Sequence, residues 1–151
     1  MKTIWVLNGP NLNLLGAREP EIYGRATLEE IERGLTAHGE RAGARVECFQ
    51  SNVEGELVTR VQQARGRADG IILNAAAYSH TSIALVDALR FAGVPAVEVH
   101  LSNVHAREPY RRELLTASAC VGCITGLGPL GYHLALDALL ARLAPPPENA
   151  T

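Results

Sequence analysis

Two hydrophobic periods alternate along the chain. Short runs dense in Val, Ile and Leu recur at residues 3–8, 45–50, 70–74, 96–100 and 119–125. Runs of this kind read as strands buried on both faces, the mark of a parallel sheet. Between them lie stretches with apolar residues three and four apart, such as Leu28, Ile31 and Leu35, then Leu57, Val58, Val61 and Ala64. That spacing predicts helices, with more from about Thr81 to Ala92, near 109–115 and from Pro129 to Leu143. Thr27-Leu28-Glu29-Glu30 and Ser51-Asn52-Val53-Glu54 each have the spacing of a capping box.

Five repeats of strand then helix predict a three-layer α/β sandwich around a five-stranded parallel sheet. Right-handed crossovers favour the strand order 2-1-3-4-5, the flavodoxin-like order. Residues 1–144 are expected to form a single α/β domain, and the Pro-rich segment 145–151 a disordered tail. The last helix carries few polar residues: Leu130, Leu134, Ala138 and Ala141 cover one side, Tyr132, Leu136, Leu139 and Leu143 another. A helix apolar on two faces is buried on two faces, and one sheet covers only one. A homo-oligomer is the natural reading, with a wide pocket for that helix inside the monomer as the blander alternative.

Three strands stop abruptly on polar side chains: Asn8 after Ile4-Trp5-Val6-Leu7, Asn74 after Ile71-Ile72-Leu73, and His100 after Val97-Glu98-Val99. In an open parallel sheet ligands bind outside the strands' carboxyl ends. The same edge receives Asn11, the long loop from Gly9 to about Arg25 with Arg18 and Tyr23, then Tyr78 to Thr81, Ser102, Arg107 and Arg111. A loop that long in a compact domain is a lid, a binding loop or a disordered segment. Singly, each residue has a structural reading as a turn, cap or solvated charge. Their joint arrival at one edge favours a functional cleft.

Composition removes several function classes. A net charge of −2 offers no broad basic face for nucleic acid. No apolar stretch approaches the roughly 20 residues that span a bilayer. The start of the chain runs straight into a strand that Asn8 cuts off, without the features of a signal peptide, so a cytoplasmic protein is expected. Three unevenly scattered Cys make no disulfide framework. Of the 14 basic residues, only Lys2 is a lysine.

Two motifs mislead. Gly126-Leu127-Gly128-Pro129-Leu130-Gly131 fits a dinucleotide fingerprint, but it follows the last strand and has no later strand to present an acidic residue to a ribose. A tight strand-to-helix turn is the better reading, still able to hold a small anion at the helix start. Cys120-Val121-Gly122-Cys123 is a formal C-x-x-C inside an apolar strand, where residues three apart point to opposite faces. These Cys, with Cys48, are expected to be small core residues.

The chain resembles the type II 3-dehydroquinate dehydratases. The resemblance is carried by Asn8-Gly-Pro-Asn-Leu-Asn-Leu-Leu-Gly16, Arg18-Glu-Pro-Glu-Ile-Tyr-Gly24, Gln50-Ser-Asn with Glu54-Gly-Glu-Leu57, and Asn74-Ala-Ala-Ala-Tyr-Ser-His-Thr-Ser82. It continues in Glu98-Val-His-Leu-Ser-Asn103, Arg107-Glu-Pro-Tyr-Arg111 and Gly126-Leu-Gly-Pro-Leu-Gly-Tyr132, in order over nearly the whole chain. Departures from the pattern are Val53, Val86, Arg112-Glu113-Leu114 and Leu127. What the resemblance implies is the flavodoxin-like fold, loss of water from 3-dehydroquinate in the shikimate pathway, and a homododecamer built from trimers.

The dehydration has two routes, an imine on Lys or an enolate held by hydrogen bonds. Lys2 lies at the start of the first strand, on the opposite edge from the cleft, which excludes the imine. By resemblance, Tyr23 is the base and Arg18, five residues away, activates it. Asn11 holds the enolate through a water, His100 is the general acid, and Glu98, on the same strand face, orients His100 or a water. Asn74 with Leu101 and Ser102 suits the substrate carboxylate, His80 and Arg111 the ring hydroxyls, and Asp87 reaches a neighbouring subunit's site. No metal or organic cofactor is expected, since no cluster has ligand spacing. The rivals are an FMN- or nucleotide-binding module using the Gly126 turn, a phosphorelay receiver that lacks its Asp and Lys, and a catalytically dead scaffold.

Overall fold

Lys2–Asn8 (β1), Ala44–Gln50 (β2), Gly70–Asn74 (β3), Ala96–His100 (β4) and Gly122–Thr125 (β5) pair side by side, all parallel, in the order β2-β1-β3-β4-β5. The structure is a computed structural model that describes residues 1–148. Its helices are Pro20–Tyr23 (α1), Leu28–Arg41 (α2), Glu54–Ala64 (α3), Ile83–Ala92 (α4) and Leu130–Leu143 (α5). The expected fold class and strand order are both present.

Side-chain alternation on the strands splits the interior into two layers. Ile4, Val6, Ile72, Val97 and Val99 pack with Ile31 and Leu35 of α2 and with Tyr132, Leu136 and Leu139 of α5. Trp5, Leu7, Ile71 and Leu73 pack on the other side with Leu57 and Val61 of α3 and Leu85 and Leu89 of α4. Each fully buried aliphatic or aromatic side chain contributes roughly 1.5–3 kcal/mol relative to exposure. Gly9 lets the exits of β1 and β3 touch, because a Cβ there would sit 2.4 Å from the Ala75 carbonyl oxygen.

Some local expectations change. Thr27 caps α2, its hydroxyl accepting the Glu30 N–H at 3.2 Å. The second capping box does not form: α3 starts after Val53, while Ser51 accepts the Val53 N–H at 2.9 Å and gives its proton to Glu56. The helix expected near 109–115 is a 3-10 turn at Pro109–Arg111, with another at Thr116–Ala119. The Leu115 N–H is spent on the Ser79 carbonyl at 2.8 Å instead of on a helical partner. That detour also shortens the fifth strand, which begins at Gly122. Pro145 to Glu148 carry no helix or strand, and the remainder of the expected tail lies outside the described residues.

On α5, Tyr132, Ala135, Leu136 and Leu139 are buried, whereas Leu130, Leu134, Ala138 and Ala141 are exposed. The sheet thus covers one apolar face and leaves the other open, so the wide-pocket alternative fails.

The α2–α5 contact is polar at its rim. His38 and His133 share a 2.8 Å Nδ1–Nδ1 contact, and His38 Nε2 lies 2.7 Å from Asp137. With ring centroids 5.0 Å apart and an interplanar angle of 15°, the imidazoles meet nearly edge to edge. One Nδ1 must donate and the other accept, so the pair holds at most one extra proton. Burial, and then the His38 charge, hold His133 below the ordinary histidine range despite Asp137. As pH falls below about 6.5, the unfolded chain therefore takes up this proton before the native chain does. Stability from this site is full above that pH, declines below it and levels off beneath the depressed native value. Urea titrations at about pH 7.5 and 5.5 should show a smaller acid-induced loss for His133→Gln than for the wild type; equal losses would remove this role.

Candidate active site

The carboxyl ends of β1, β3 and β4 open onto a cavity of about 170 Å³. Its walls include Asn11, Arg18, Tyr23, Asn74, His80, His100, Leu101, Ser102, Arg107 and Arg111, all expected at this edge. Glu98 lies behind the wall, fully buried, and Asp87 is exposed on α4 away from this cavity. The loops that form the rim carry the chain's three non-glycine residues at positive φ among those described: Asn11 at 68°, Glu19 at 38° and Ala76 at 52°. Such backbone is tolerated where the surroundings over-determine it, as at ligand clamps.

Each rim segment is tied to another strand's exit. The Asn11 N–H donates to Asn52 Oδ1 at 3.0 Å, and Gln50 Nε2 donates to the Gly9 carbonyl at 3.1 Å. Tyr78 donates its hydroxyl to the Asn52 carbonyl at 2.6 Å. The loops after β1, β2 and β3 therefore brace one another.

Beneath the floor lies a buried polar chain. Asn74 Nδ2 donates to the Tyr132 oxygen at 2.8 Å, and the Tyr132 hydroxyl donates to Asn8 Oδ1 at 2.7 Å. Asn74 Oδ1 also accepts the Ala76 N–H at 3.1 Å, which leaves one N–H of Asn74 for a ligand. Burial pushes the Tyr132 phenol well above its usual value, so it stays a neutral donor. Burial also raises Glu32, partly countered by the Asn8 amide.

Tyr23 stands between two guanidiniums. Arg107 Nη1 donates to its phenol oxygen at 2.9 Å and to Ser102 Oγ at 3.3 Å. Cζ of Arg18 lies 4.9 Å, and Cζ of Arg107 5.1 Å, from the Tyr23 ring centroid. Arg18 therefore meets the ring face and pairs with Glu19 at 3.8 Å, while the phenol oxygen belongs to Arg107. The expectation had placed Arg107 at this edge and given it no role; its sequence spacing of 84 residues from Tyr23 carries no signal of the contact. Glu108 orients both neighbouring arginines, 3.6 Å from Arg107 and 3.0 Å from Arg111. Its own backbone N–H, aided by Arg107 and Arg111, holds its carboxyl below the usual range.

The two cleft histidines have assigned donors. His80 Nδ1 lies 2.9 Å from the Glu113 carbonyl, which can only accept, so Nε2 is free to meet a ligand. His100 Nε2 lies 2.9 Å from Glu98 Oε2, which leaves Nδ1 to exchange a proton. Their rings sit 6.2 Å apart. With Arg18, Arg107 and Arg111, the lining suits a small, anionic, oxygen-rich molecule.

The misleading motifs behave differently from one another. The Gly126 and Gly128 N–H groups donate to the carbonyls of His100 at 3.2 Å and Leu101 at 3.0 Å, so the turn spends these two amides on packing against the loop after β4. Of the three Cys, Cys48 and Cys120 are half-buried and pack against the two core layers, whereas Cys123 is exposed, which corrects the expectation of a core thiol at that position. The strand holding Cys123 is at the sheet edge, with no helix over its outer side. Burial, with nearby carboxylates, pushes Cys48 and Cys120 up to about 12 and Cys123 up to about 11, so none is a thiolate at neutral pH. Among the described residues no group of three or more His, Cys, Asp or Glu could hold a metal ion.

Comparison with known proteins gives one consistent result. The family model described as Dehydroquinase class II matches residues 2–140. A 3-dehydroquinate dehydratase from Synechococcus sp. (strain CC9605) is 55% identical over 140 residues, covering 93% of this chain and 96% of that protein. The catabolic 3-dehydroquinase 1 of Aspergillus terreus is 54% identical over 136 residues, covering 90% of each. The crystal structure of a type II dehydroquinase from Butyrivibrio crossotus superposes with a TM-score of 0.90 at 41% identity, covering 92% of this chain and 97% of that one.

The polar chain under the floor can be tested by its middle member. Tyr132→Phe removes the hydroxyl that joins two buried amides, leaving Asn8 Oδ1 without its donor. The unfolding free energy in urea should fall by about 1–3 kcal/mol. A loss indistinguishable from zero would mean that the amides find other partners.

Proposed function

The chain belongs to the class II dehydroquinase family, and on that premise we propose that it dehydrates 3-dehydroquinate to 3-dehydroshikimate, a hydro-lyase step of the shikimate route to aromatic amino acids. The reaction runs through an enolate, with no Schiff base. The observation that carries this reading is the phenol of Tyr23, held by Arg107 at 2.9 Å in a cavity that it shares with His100.

Tyr23 takes the proton from the carbon beside the ketone. A phenol ordinarily keeps its proton at neutral pH, so base function needs positive charge close by, which Arg107 and Arg18 supply. Asn11, through an ordered water, holds the developing enolate oxygen. His100, whose Nε2 faces Glu98, protonates the departing hydroxyl through Nδ1. The carboxylate of the substrate sits against Asn74, Ser102 and the N–H groups of Leu101 and Ser102, while His80 and Arg111 take ring hydroxyls. Lys2 is the chain's one lysine and opens β1, at the far end of that strand from Asn8, so imine chemistry has no nucleophile here.

In this reading the protein works in the cytoplasm as a homododecamer of trimers. Two observations support assembly: the open apolar strip of Leu127, Leu130 and Leu134, and the exposure of Asp87, whose place in a site is then a neighbour's. No helix among the described residues is long and apolar enough to cross a membrane.

Following the conjugated product by ultraviolet absorbance, Tyr23→Phe should lower kcat by roughly 10²–10⁴-fold while melting like the wild type. Borohydride added with substrate should leave wild-type activity intact. Full activity without the phenol oxygen, or a trapped adduct, would overturn the mechanism.

Light scattering after size exclusion provides the test of assembly. Leu130→Glu combined with Leu134→Glu should yield a particle several-fold smaller, with an unchanged circular dichroism spectrum. An unchanged mass would move the interface elsewhere.

A further inference from the structure

Glu98 has no exposure to solvent, and its two oxygens have different partners. Oε2 faces His100 Nε2 at 2.9 Å and lies 3.9 Å from Cys123 Sγ, a weak donor. Oε1 takes the hydroxyl of Thr116, itself fully buried and 18 residues further on. A buried carboxylate is costly unless its lone pairs are satisfied. The Thr116 hydroxyl is the strong donor on that second oxygen.

The segment that carries Thr116 also holds the other cleft histidine. The Glu113 carbonyl faces His80 Nδ1 at 2.9 Å, and the Leu115 N–H donates to the Ser79 carbonyl at 2.8 Å. Residues 113–116 thus brace His80 through the backbone and His100 through one side chain and a carboxylate. The unusual Arg112-Glu113-Leu114 triplet falls here, and its contact to His80 is made by a main-chain oxygen that any side chain would supply.

We infer that Thr116 is a positioning residue for the general acid. Its hydroxyl locks Glu98 in one rotamer, Glu98 holds the proton on His100 Nε2, and Nδ1 is thereby left to serve the leaving hydroxyl. The inference rests on the assignment of His100 as the acid in the proposed reaction.

Thr116→Val keeps the shape and removes the donor, whereas Thr116→Ser keeps the donor. Thr116→Val should lower kcat roughly tenfold or more with KM within about twofold, and shift the pH dependence of kcat; Thr116→Ser should restore both. Neutron diffraction of the wild type supplies a readout independent of turnover and of any variant's folding. It should place a deuteron on Thr116 Oγ1 directed at Glu98 and another on His100 Nε2. If wild-type protein fails to turn over dehydroquinate yet shows those deuterons, the functional reading falls and the acid role with it, while the Thr116–Glu98–His100 proton arrangement stands. If kcat of Thr116→Val equals that of the wild type, or the deuteron on Nε2 or Oγ1 is missing, the positioning role is wrong.

Discussion

A carboxylate with no access to water, placed in a strand flanked by two others, is the most demanding group in this molecule. Glu98 is that group, between β3 and β5 in β4. An unpaired buried charge costs several kcal/mol, so its neighbours are not free to vary independently. The answer comes from His100 two residues on, Thr116 after the next loop and Cys123 directly across the β4–β5 register. Satisfying Glu98 therefore draws the chain at residue 116 onto β4 and turns His100 toward the cavity. Fold stability and the orientation of His100 draw on the same contacts.

The amides at the other strand ends follow the same logic. Asn8 and Asn74 end neighbouring strands and share the Tyr132 hydroxyl, delivered from α5. Where β4 and its loop form the His100 side of the cavity, this trio braces the floor from beneath, with Asn74 alone reaching the cavity wall. The remaining side is built from two loops: Tyr23 comes from one and the guanidinium on its oxygen from another. The phenol meets that charge only when the two loops are together. In the proposed reaction, shielding the cavity from water and activating Tyr23 as the base are then a single event.

Element types and their order were readable because apolar periodicity is local, and buried parallel strands leave little choice of period. The ends of β3 and β4 agree with expectation to the residue. Misreadings cluster where another bond outcompetes the expected one. Ser51 gives up capping α3 because its hydroxyl serves Val53 and Glu56, and the 109–115 helix yields when Leu115 reaches Ser79. Cys123 looked like core because an apolar strand does not announce that it lies at a sheet edge.

The cleft was legible to a similar depth. Asn8, Asn74 and His100 stop apolar runs, and topology alone sends strand ends of a parallel sheet to one edge. The Glu98–His100 contact also follows from strand alternation, which places residues two apart on one side. Which guanidinium touches the Tyr23 oxygen, which hydroxyl completes Glu98 and which phenol joins Asn8 to Asn74 were decided only in three dimensions. Those pairs are 84, 18 and, for Tyr132 with Asn8, 124 residues apart. The chain's own pattern determines what each residue does to its near neighbours. Pairing across such separations depends on loop paths and packing, which no local period encodes.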